Sequence, residues 1–570
     1  MLGTRIVQAR ALARRQTARP GTRGKAPARR TGRKTAAAGV ASCLVAALAL
    51  AGALAGAPAV RAAVTLPSPD LVEALRTLPV QHDGRVMPLD TLAREGVGKV
   101  TGERGGWQGA DPVAVVLSWM FDGRAWVNEP VVELGSPSLA VAAGLASGAT
   151  HASYAQIFSS AGIRDLVSQA RSLQQRGQQH LPARLDAAAK LDARLGWLQS
   201  FLTRDLLRVV PDSSNPVATW DEPPASVTDA ASLLAWYRQT EAQPPAGYPA
   251  PRDMTREVTY NRVHPTRLGW WVLALGTLVS LVAMRRSSRF WDLAAVAALV
   301  VGVGVMTWGL AVRWQIEGHI PASNMYESML FLAWGVGLFA LLAAAVLRNR
   351  LVIFNAAAMA ALTMGLASFL PIDPFIHPIA PVLSGTPWLA IHVPIIMVSY
   401  SVLALGVLIA HLQIGIEIFR PKRREAAARM NGLLYWYMHV GSLLLVAGII
   451  TGSIWAASSW GRYWGWDPKE VWSLIAFIAY MAILHSRFDR QIQAFGVAAA
   501  SIVAFWAILM TYIGVNYVLS AGLHSYGFGS GGVVEWMVGI GVLELLFLGG
   551  GYLAHRKNTA AYGPLVAAGI

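Results

Sequence analysis

The sequence is poor in cysteine and in charged residues. Its one cysteine among 570 residues is Cys43, so the chain forms no intrachain disulfide and carries no CxxC redox pair. Charged side chains account for 14% of the residues and hydrophobic ones for 54%, and the mean hydropathy is +0.43. These values exclude thiol–disulfide chemistry within the chain and indicate a protein that lies largely in a membrane.

Long apolar runs fill the chain after residue 264. Many of them approach or exceed about 18 residues, the length that crosses a hydrocarbon core of about 30 Å. The runs predict about ten transmembrane helices, at roughly 37–60, 267–283, 291–312, 327–347, 351–371, 392–417, 433–456, 470–486, 494–519 and 533–555. We therefore expect an all-α polytopic membrane protein with an N-terminal extracytoplasmic, mainly helical domain.

Positive charge is concentrated at the N-terminus and in alternate loops. Residues 1–34 contain eleven Lys or Arg and no acid, which supplies most of the formal net charge of +16. Such a run can bind nucleic acid, but ahead of an apolar segment it more simply keeps the N-terminus cytoplasmic, so we expect no nucleic-acid partner. Further basic clusters place both termini on the cytoplasmic side: 285–289, 348–350, 422–424, 487–490 and 556–557.

These patterns divide the chain into five segments. They are a basic cytoplasmic N-terminus (1–36), a signal peptide or signal-anchor helix (37–63), an extracytoplasmic domain (64–264), a transmembrane domain (265–556) and a cytoplasmic tail (557–570). Within the extracytoplasmic domain, leucines at helical spacing predict helices between 164 and 208, and the Pro-rich stretch 211–252 indicates a linker with a helix possible near 230–240. His82 and Asp83 could suggest a site, but a turn at Asp83-Gly84 is the favoured interpretation.

The most unusual segment is Trp460–Trp472, WGRYWGWDPKEVW, between two predicted spans. Its thirteen residues contain five aromatic side chains: Trp460, Tyr463, Trp464, Trp466 and Trp472. Interfacial Trp and Tyr commonly anchor helices as a belt, which needs only one or two rings per helix end. The higher density suits a platform for a large flat molecule such as haem, with Arg462 and Lys469 meeting its propionates. From composition alone, belt and platform both remain open.

The segment resembles the tryptophan-rich WWD motif of haem-handling cytochrome c biogenesis proteins. Its form is similar to the CcsA/ResC branch, the haem-bearing half of the System II cytochrome c synthetase. Three further segments match that branch in the right order: Arg313–Ser328, Trp388–Tyr400 and Gly514–Tyr526. The resemblance covers about residues 265–556. It implies a bacterial inner (cytoplasmic) membrane protein with the WWD loop and residues 64–264 on the periplasmic side.

Histidines at the predicted helix ends provide the candidate haem ligands. His392 and His524 lie at span ends on the same face as the aromatic segment, and two imidazoles suit the two axial positions of a haem iron. A lone histidine at a helix end is more often a solvated cap, but by resemblance these two match the family's outer ligand pair. His485 lies near the other end of its span, about 26 Å of helix rise from Pro468, and it matches the histidine of a membrane haem site.

The second ligand of that membrane site is not evident in this chain. The resemblance implies that a separate ResB/CcsB-like subunit supplies it, and His411 and His439 are the alternatives within the sequence. Asp467 to Glu470 predicts a helix start with a capping box, which by itself accounts for those charges. The full predicted haem site is His392, His485, His524, Trp460, Arg462, Tyr463, Trp464, Trp466, Asp467, Lys469 and Trp472.

The resemblance implies a role in cytochrome c biogenesis. The chain is expected to bind reduced haem b, to move or present it at the outer face, and to support its thioether attachment to apocytochrome c CxxCH motifs. It would then be a haem lyase subunit acting with the ResB/CcsB-like partner, thioredoxin-like thiol reductants and membrane lipid. The alternatives are a System I-type haem exporter, a non-catalytic haem-binding assembly factor and a secondary transporter with inverted repeats, although no internal repeat is visible.

Overall fold

The computed structural model describes residues 64–563, with gaps at 104, 179–180, 213–214, 216–217, 287, 348, 370–371, 380–385 and 520–532. It contains a mainly helical domain followed by a bundle of long helices. Nine helices of the described part are long and apolar enough to cross a membrane. The expected all-α polytopic membrane fold is therefore confirmed. The predicted first span, 37–60, and Cys43 lie outside the described residues.

Residues 64–264 form a domain with its own hydrophobic core. Leu75, Leu92, Val116, Trp119 and Phe201 are fully buried in it, as the dense packing of protein interiors requires. Its helices are α1 (Pro69–Leu75), α2 (Leu89–Thr101), α3 (Pro112–Phe121), α4 (Gly123–Trp126), α5 (Pro137–Ala142), α6 (Tyr154–Ser159), α7 (Ala161–Gln175), α8 (Ala183–Leu202), α9 (Ala230–Ala242) and α10 (Pro251–Val263).

Two small antiparallel sheets complete the domain. Strands β1 (Pro79–His82) and β2 (Arg85–Pro88) form a hairpin, and β3 (Val132–Glu133) pairs with β4 (His151–Ala152). The predicted turn at Asp83-Gly84 joins the hairpin, with φ of 50° and 75° at its two residues. Positive φ at both central residues is the geometry that a two-residue hairpin loop favours, and Asp-Gly adopts it readily.

The Pro-rich region is more regular than its composition suggests. Helix α9 occupies the stretch near 230–240 where the sequence allowed a helix. Asp229 is its N-cap and forms a capping box with Ser232. Pro251 is the first residue of α10, a position that proline favours because its missing N–H is not needed there. Glu257 on α10 accepts two hydrogen bonds from Arg85, at 2.9 and 2.5 Å, which join this helix to the hairpin. Helix α10 ends at Val263 with His264 as its C-cap, and the next helix begins at Pro265.

The membrane bundle is built from antiparallel neighbours in chain order. Its members are α11 (Pro265–Arg285), α12 (Arg289–Glu317), α13 (Met325–Leu347), α14 (Arg350–Phe369), α15 (Trp388–Phe419), α16 (Arg424–Trp460), α17 (Pro468–Phe488), α18 (Ala494–Leu509), a π-helix (Met510–Leu519) that continues α18, and α19 (Val533–Tyr562). Helix α15 is central: 78% of its most apolar 18-residue stretch is buried. Only 6% of the corresponding stretch of α19 is buried.

One end of the bundle lies against the domain. Lys99 on α2 approaches Asp373 in the loop between α14 and α15, with 3.6 Å between Nζ and Oδ2. We call this end of the bundle the domain end and the opposite one the far end. Because α15 and α17 begin at the domain end and α16 finishes there, His392 and the Trp460–Trp472 segment lie at the same end, as predicted.

A buried ionic group reinforces the domain end. Arg313 near the end of α12 is 1% exposed, and its Nη2 donates to Glu327 Oε1 at 2.7 Å. Its Nε also lies 2.7 Å from Glu317 Oε1. The same guanidinium donates to the carbonyl oxygens of Pro374 at 3.0 Å and Phe375 at 3.1 Å. A buried charge is tolerated only when it is paired and hydrogen-bonded, so these contacts fix the loop before α15.

Candidate functional site

A cavity opens between the helices at the domain end of the bundle. Its volume is about 100 Å³ and it opens to solvent, whereas small-molecule sites commonly occupy about 300–1,000 Å³, so it encloses only part of a large ligand. Its lining combines apolar and aromatic side chains with a few polar groups: Ala322, Ser328, Leu389, His392, Val393, Ile396, Met397, Tyr400, Ile449, Gly452, Ser453, Trp455, Trp464, Lys469, Glu470, Ser473, Thr511 and Tyr512. An apolar wall with few convergent polar groups suits a large cofactor-like ligand.

His392 is held in one tautomer at the cavity wall. Its Nδ1 lies 2.9 Å from the carbonyl oxygen of Gly448 on α16. A carbonyl oxygen can only accept a hydrogen bond, so Nδ1 carries the proton and Nε2 keeps the lone pair. Fixing one ring nitrogen in this way is how proteins prepare the other nitrogen to ligate a metal. In the neutral imidazole, Nε2 is therefore the ring nitrogen with the lone pair.

Two glycines of α16 make room for helix α15 and its histidine. A Cβ atom at Gly452 would lie 2.7 Å from His392 Cε1, and one at Gly448 would lie 2.5 Å from Ile396 Cδ1. Real Cβ atoms essentially never approach other atoms this closely, so a side chain at 452 requires the imidazole or the helices to shift. The indole of Trp455, one helical turn further on, lies 5.7 Å from the His392 ring between centroids. Small residues four apart commonly let two helices approach closely.

The Trp460–Trp472 segment forms a compact turn between α16 and α17. Asp467 is the N-cap of α17, with Pro468 at the first helical position, and the predicted capping box with Glu470 is confirmed. Glu470 Oε2 accepts from the backbone N–H groups of Gly465 at 2.8 Å and Asp467 at 3.1 Å. Asp467 Oδ1 accepts from the N–H of Lys469 at 3.0 Å. These local bonds fix the segment that brings Trp464 and Lys469 to the cavity.

The five aromatic residues of this segment do not share one surface. Trp464 lines the cavity, whereas Tyr463 is 68% and Trp466 73% exposed. Trp460 and Trp472 pack against the core of the bundle, and Trp460 lies 5.6 Å from Trp455 between ring centroids. A single platform of all five rings is thus not what the backbone builds.

The charged residues of the segment also divide. Lys469 lines the cavity, whereas Arg462 is exposed and packs over the backbone of Gly465, where an added Cβ would lie 2.9 Å from its Nε. Asp467 is nearly buried as the helix cap. Of the two predicted propionate partners, Lys469 is the one that borders the cavity.

Trp466 has an unusual backbone conformation. Its φ is +57°, a left-handed value that is an outlier for a bulky side chain. Such a conformation costs of the order of 1–3 kcal/mol and is found mainly at functional sites. Its ring lies edge-on to Trp464, with centroids 6.1 Å apart and planes at 90°. The turn thus holds Trp466 beside Trp464, the one of the segment's five aromatic rings that lines the cavity.

The other candidate histidines lie elsewhere. His485 is exposed in the last turn of α17, at the far end, where its Nδ1 lies 2.7 Å from the carbonyl oxygen of Met481. The predicted ligand His524 lies outside the described residues. His411 contacts the Val407 carbonyl oxygen at 2.9 Å through Nδ1 and Glu544 at 3.4 Å through Nε2. Both of its nitrogens are engaged, which weakens the alternative that it ligates iron.

His439, the other alternative ligand, is also oriented by its own helix. Its Nδ1 lies 2.8 Å from the carbonyl oxygen of Tyr435, and its ring packs edge-on against the Tyr435 ring with centroids 4.2 Å apart. His485 is more accessible than either alternative, since it is exposed where they are only partly so.

Several cavity residues carry little or no sequence signal. Gly448 and Gly452 show a small-residue spacing of four that would have indicated a close helix contact. Ser328 and Tyr512 join their hydroxyl groups at 2.7 Å although 184 positions separate them. Tyr512 belongs to the π-helix, a rare form that occurs mostly at functional sites. No local sequence pattern predicts a contact between residues so far apart in the chain.

A second polar group joins the domain to the loop before α15. His377 Nε2 lies 3.2 Å from Asp373 Oδ2, and Lys99 Nζ lies 2.5 Å from Glu95 Oε1. Burial favours the neutral acid at Asp373, but the hydrogen bond from His377 and the charge of Lys99 outweigh it and hold its pKa at about 2. The hydrogen bond to Asp373 raises the pKa of His377 against the effect of burial. Lys99 and His377 therefore supply the positive charge that faces the carboxylates of Glu95 and Asp373.

Comparisons with known proteins give a consistent result. Residues 322–524 match the family described as Cytochrome C assembly protein. Cytochrome c biogenesis protein CcsA of Prochlorococcus marinus (strain MIT 9303) is 35% identical over 303 residues, which cover 46% of this chain and 95% of that protein. Protein NrfI of Wolinella succinogenes is 29% identical over 494 residues, covering 78% of this chain and 53% of NrfI. The solved Cytochrome c Heme Lyase CcmF has 18% identity and a TM-score of 0.37 over 51% of this chain and 50% of that one, a likeness too low to carry an inference.

Proposed function

This chain belongs to the CcsA family of cytochrome c biogenesis proteins, and from that premise we propose that it binds reduced haem at the domain end of its bundle and presents it to apocytochrome c. The observation that carries the proposal is the His392–Gly448 contact beside the cavity. It orients the imidazole at the cavity wall and, in the neutral ring, places the lone pair on Nε2, as second contacts of metal-ligating histidines commonly do. The apolar wall of the cavity, with its few convergent polar groups, suits the face of a large flat ligand.

The residues around the cavity have distinct roles in this proposal. His392 ligates the iron on one side, and His524 is the proposed second axial ligand, which gives bis-histidine ligation. Trp464 and Trp455 offer ring faces or edges to the macrocycle. Lys469 meets a propionate through a charge-assisted hydrogen bond. Arg462 and Trp466 act at the rim, and Trp460, Trp472 and Asp467 hold the segment in place.

The chemistry uses groups that this chain does not contain. The chain has one cysteine, so the thiols come from the CxxCH motif of apocytochrome c, kept reduced by thioredoxin-like proteins. Each S–H adds across a haem vinyl group: sulfur bonds to one vinyl carbon, the proton goes to the other, and no electrons are gained or lost overall. The contribution of this chain is to position the reacting groups, which alone lowers a barrier substantially.

The proposed route begins at the far end of the bundle. Basic residues lie at or near the far ends of these helices, among them Arg285, Arg289, Arg350, Arg423, Arg487 and Arg556, and cytoplasmic loops are rich in Lys and Arg. We therefore assign the far end to the cytoplasm and the domain end to the outer, periplasmic side of a bacterial inner membrane. His485 is exposed at the far end, where a ResB/CcsB-like subunit can supply the second ligand of a membrane haem site.

The test is to replace each proposed ligand and to measure both haem and assembled cytochrome c. His392→Ala should abolish holocytochrome c formation, with partial recovery when imidazole is added, because imidazole fills the vacant axial position. His485→Ala should lower the total haem that copurifies with the protein, since it acts before the outer site. His439→Ala is the matched control and should keep both. Full assembly in the His392 variant would remove the ligand assignment.

Two other functions give different results in the same assay. A non-catalytic haem-binding factor would retain spectroscopic haem but would not restore covalent cytochrome c in a strain that lacks its own ligation system. A System I-type haem exporter would restore cytochrome c only together with System I components. Restoration with a ResB/CcsB-like partner alone supports the proposed haem lyase function.

A further inference from the structure

A second cavity lies outside the bundle, between helix α10 and the surface of α12. Its volume is about 390 Å³, it is widely open to solvent, and it is separate from the proposed haem cavity. Its lining is polar on the α10 side and apolar on the α12 side: Arg252, Thr255, Arg256, Thr259, Tyr260, Trp308 and Val312. This division of character along one cavity matches an amphipathic ligand.

The position of the cavity relates it to the edge of the membrane. Helix α12 has 29 residues, which is about 43 Å of rise, whereas the hydrocarbon core is about 30 Å thick. Its ends therefore reach the headgroup layers. Trp308 and Trp314, on the last three turns, are 41% and 46% exposed, as in the aromatic belts at membrane interfaces. The cavity thus extends across the boundary between headgroups and acyl chains.

The polar side of the cavity carries an excess of positive charge. Arg252 and Arg256 are one helical turn apart, and a single carboxylate, Asp253, lies beside both. Its Oδ1 is 3.1 Å from Arg256 Nη1 but 3.9 Å from Arg252 Nε, and Arg252 remains 83% exposed. Glu257 on the same helix is buried on its other side, against Arg85. Two guanidinium groups therefore face the cavity against one carboxylate, and guanidinium suits a phosphate group.

The hydroxyl groups beside the arginines act as acceptors. Thr255 Oγ1 donates to the Pro251 carbonyl oxygen at 3.0 Å, and Thr259 Oγ1 donates to the Thr255 carbonyl oxygen at 2.7 Å. Each hydroxyl proton is thus used within the helix, and each oxygen still has lone pairs to accept a hydrogen bond. Acceptors of this kind suit a headgroup that carries hydroxyl groups of its own.

We propose that this cavity binds an anionic phospholipid with a hydroxyl-bearing headgroup, such as phosphatidylglycerol. Its phosphate contacts Arg252 and Arg256, its headgroup hydroxyls donate to Thr255 or Thr259, and an acyl chain covers Trp308 and Val312. Glu257 joins helix α10 to the hairpin of the domain, and α10 is followed at once by the membrane helix α11, so the lipid stabilises the position of the domain on the membrane. This proposal is independent of the haem chemistry.

The experiment compares lipids on the full-length protein in detergent and in nanodiscs. Bound lipid is measured by native mass spectrometry, and stability by thermal unfolding, with phosphatidylglycerol, phosphatidylcholine or inorganic phosphate added. Wild-type protein should prefer phosphatidylglycerol. The Arg252→Gln/Arg256→Gln variant should bind phosphatidylglycerol about thirtyfold more weakly. Each arginine near a membrane surface contributes a factor of about five to six in affinity.

A matched control has the same change in charge at a different place. Arg184→Gln/Arg238→Gln removes two exposed arginines from α8 and α9 and should leave phosphatidylglycerol binding unchanged. Thr255→Val/Thr259→Val should reduce the preference for phosphatidylglycerol over phosphatidic acid, which lacks the glycerol hydroxyls. The proposal is overturned if the arginine variant binds phosphatidylglycerol as wild type does, if phosphatidylcholine binds equally well, or if inorganic phosphate gives the same stabilisation.

Discussion

Nδ1 of His392 lies 2.9 Å from the carbonyl oxygen of Gly448, so a backbone atom of one helix sets the tautomer of a side chain on another. The contact exists because α15 and α16 approach closely at Gly448 and Gly452. The imidazole occupies the space that a side chain at position 452 would need. The chemistry of His392 therefore depends on the packing of the two helices, and the predictions below test this dependence.

Gly452→Ala should impair haem binding without removing any ligand. The new methyl group would lie 2.7 Å from His392 Cε1, so the imidazole must move and its bond to Gly448 must weaken. We expect a loss of haem per inserted protein similar to that of His392→Ala. Gly432→Ala is the control on the same helix, because nothing lies within 4 Å of its added Cβ. Normal haem content in the Gly452 variant would show that the imidazole position is not critical.

Trp464→Leu should lower haem occupancy more than the same change at any other aromatic residue of the segment. Trp464 is the one of the five that lines the cavity, and an aromatic contact contributes about 0.5–1.5 kcal/mol beyond buried area, or up to about tenfold in affinity. Trp271→Leu, on the exposed face of α11, is the control for a belt residue. Equal haem contents in the two variants, measured per inserted protein, would show that the segment acts only as a membrane anchor.

Substitutions at Trp466 should reveal the cost of its backbone. Because φ is +57° there, Trp466→Gly should be more stable to heat than Trp466→Ala, by about 1 kcal/mol, since glycine adopts this region without strain. Tyr463 is not among the non-glycine residues with a positive φ, so Tyr463→Gly should be no more stable than Tyr463→Ala. An alanine variant at 466 as stable as the glycine variant would contradict the left-handed conformation.

The contact between Asp373 and His377 should make the junction sensitive to pH. The pKa of Asp373 is held at about 2, below its usual 3.8, so its stabilisation is present above about pH 4 and is lost as the pH falls towards 2. The pKa of His377 is raised above 6.5, so its contribution is full below that pH and is lost as the pH rises through the raised value.

Asp373→Asn should remove both effects. Thermal unfolding of the purified protein, followed from acidic to alkaline pH, should then vary less with pH than in the wild type. Asp165→Asn, an exposed change on α7, is the control and should keep the wild-type profile. A profile of Asp373→Asn identical to that of the wild type would show that this contact contributes no pH-dependent stability.

Local patterns predicted the parts of the site that depend on neighbours in sequence. The capping box of α17 was predictable because Asp467, Pro468 and Glu470 are three residues of one turn. The placement of His392 beside the Trp460–Trp472 segment followed from counting spans, since alternate helix ends meet on one side of a membrane. The turn at Asp83-Gly84 was predictable for the same local reason.

Long-range packing explains what the sequence did not predict. Five aromatic residues in one segment suggested one platform, but a left-handed Trp466 and the helix boundaries at Trp460 and Pro468 send their rings in different directions. The contact between Ser328 and Tyr512 joins α13 to the π-helix across 184 positions. Neither hydropathy nor spacing contains that information. Pro251 was included in a predicted linker because proline breaks helices in their interior, yet here it begins one.

The glycine at position 452 also limits how this sequence can diverge. A larger residue there would come within 3 Å of the imidazole of His392 in its present position, so a change at 452 requires the imidazole or the helices to shift. In a set of related sequences, position 452 should therefore stay glycine wherever 392 is histidine. Larger side chains should appear at 452 only in sequences that have lost the histidine, which makes the pair a covariation signal readable without any structure.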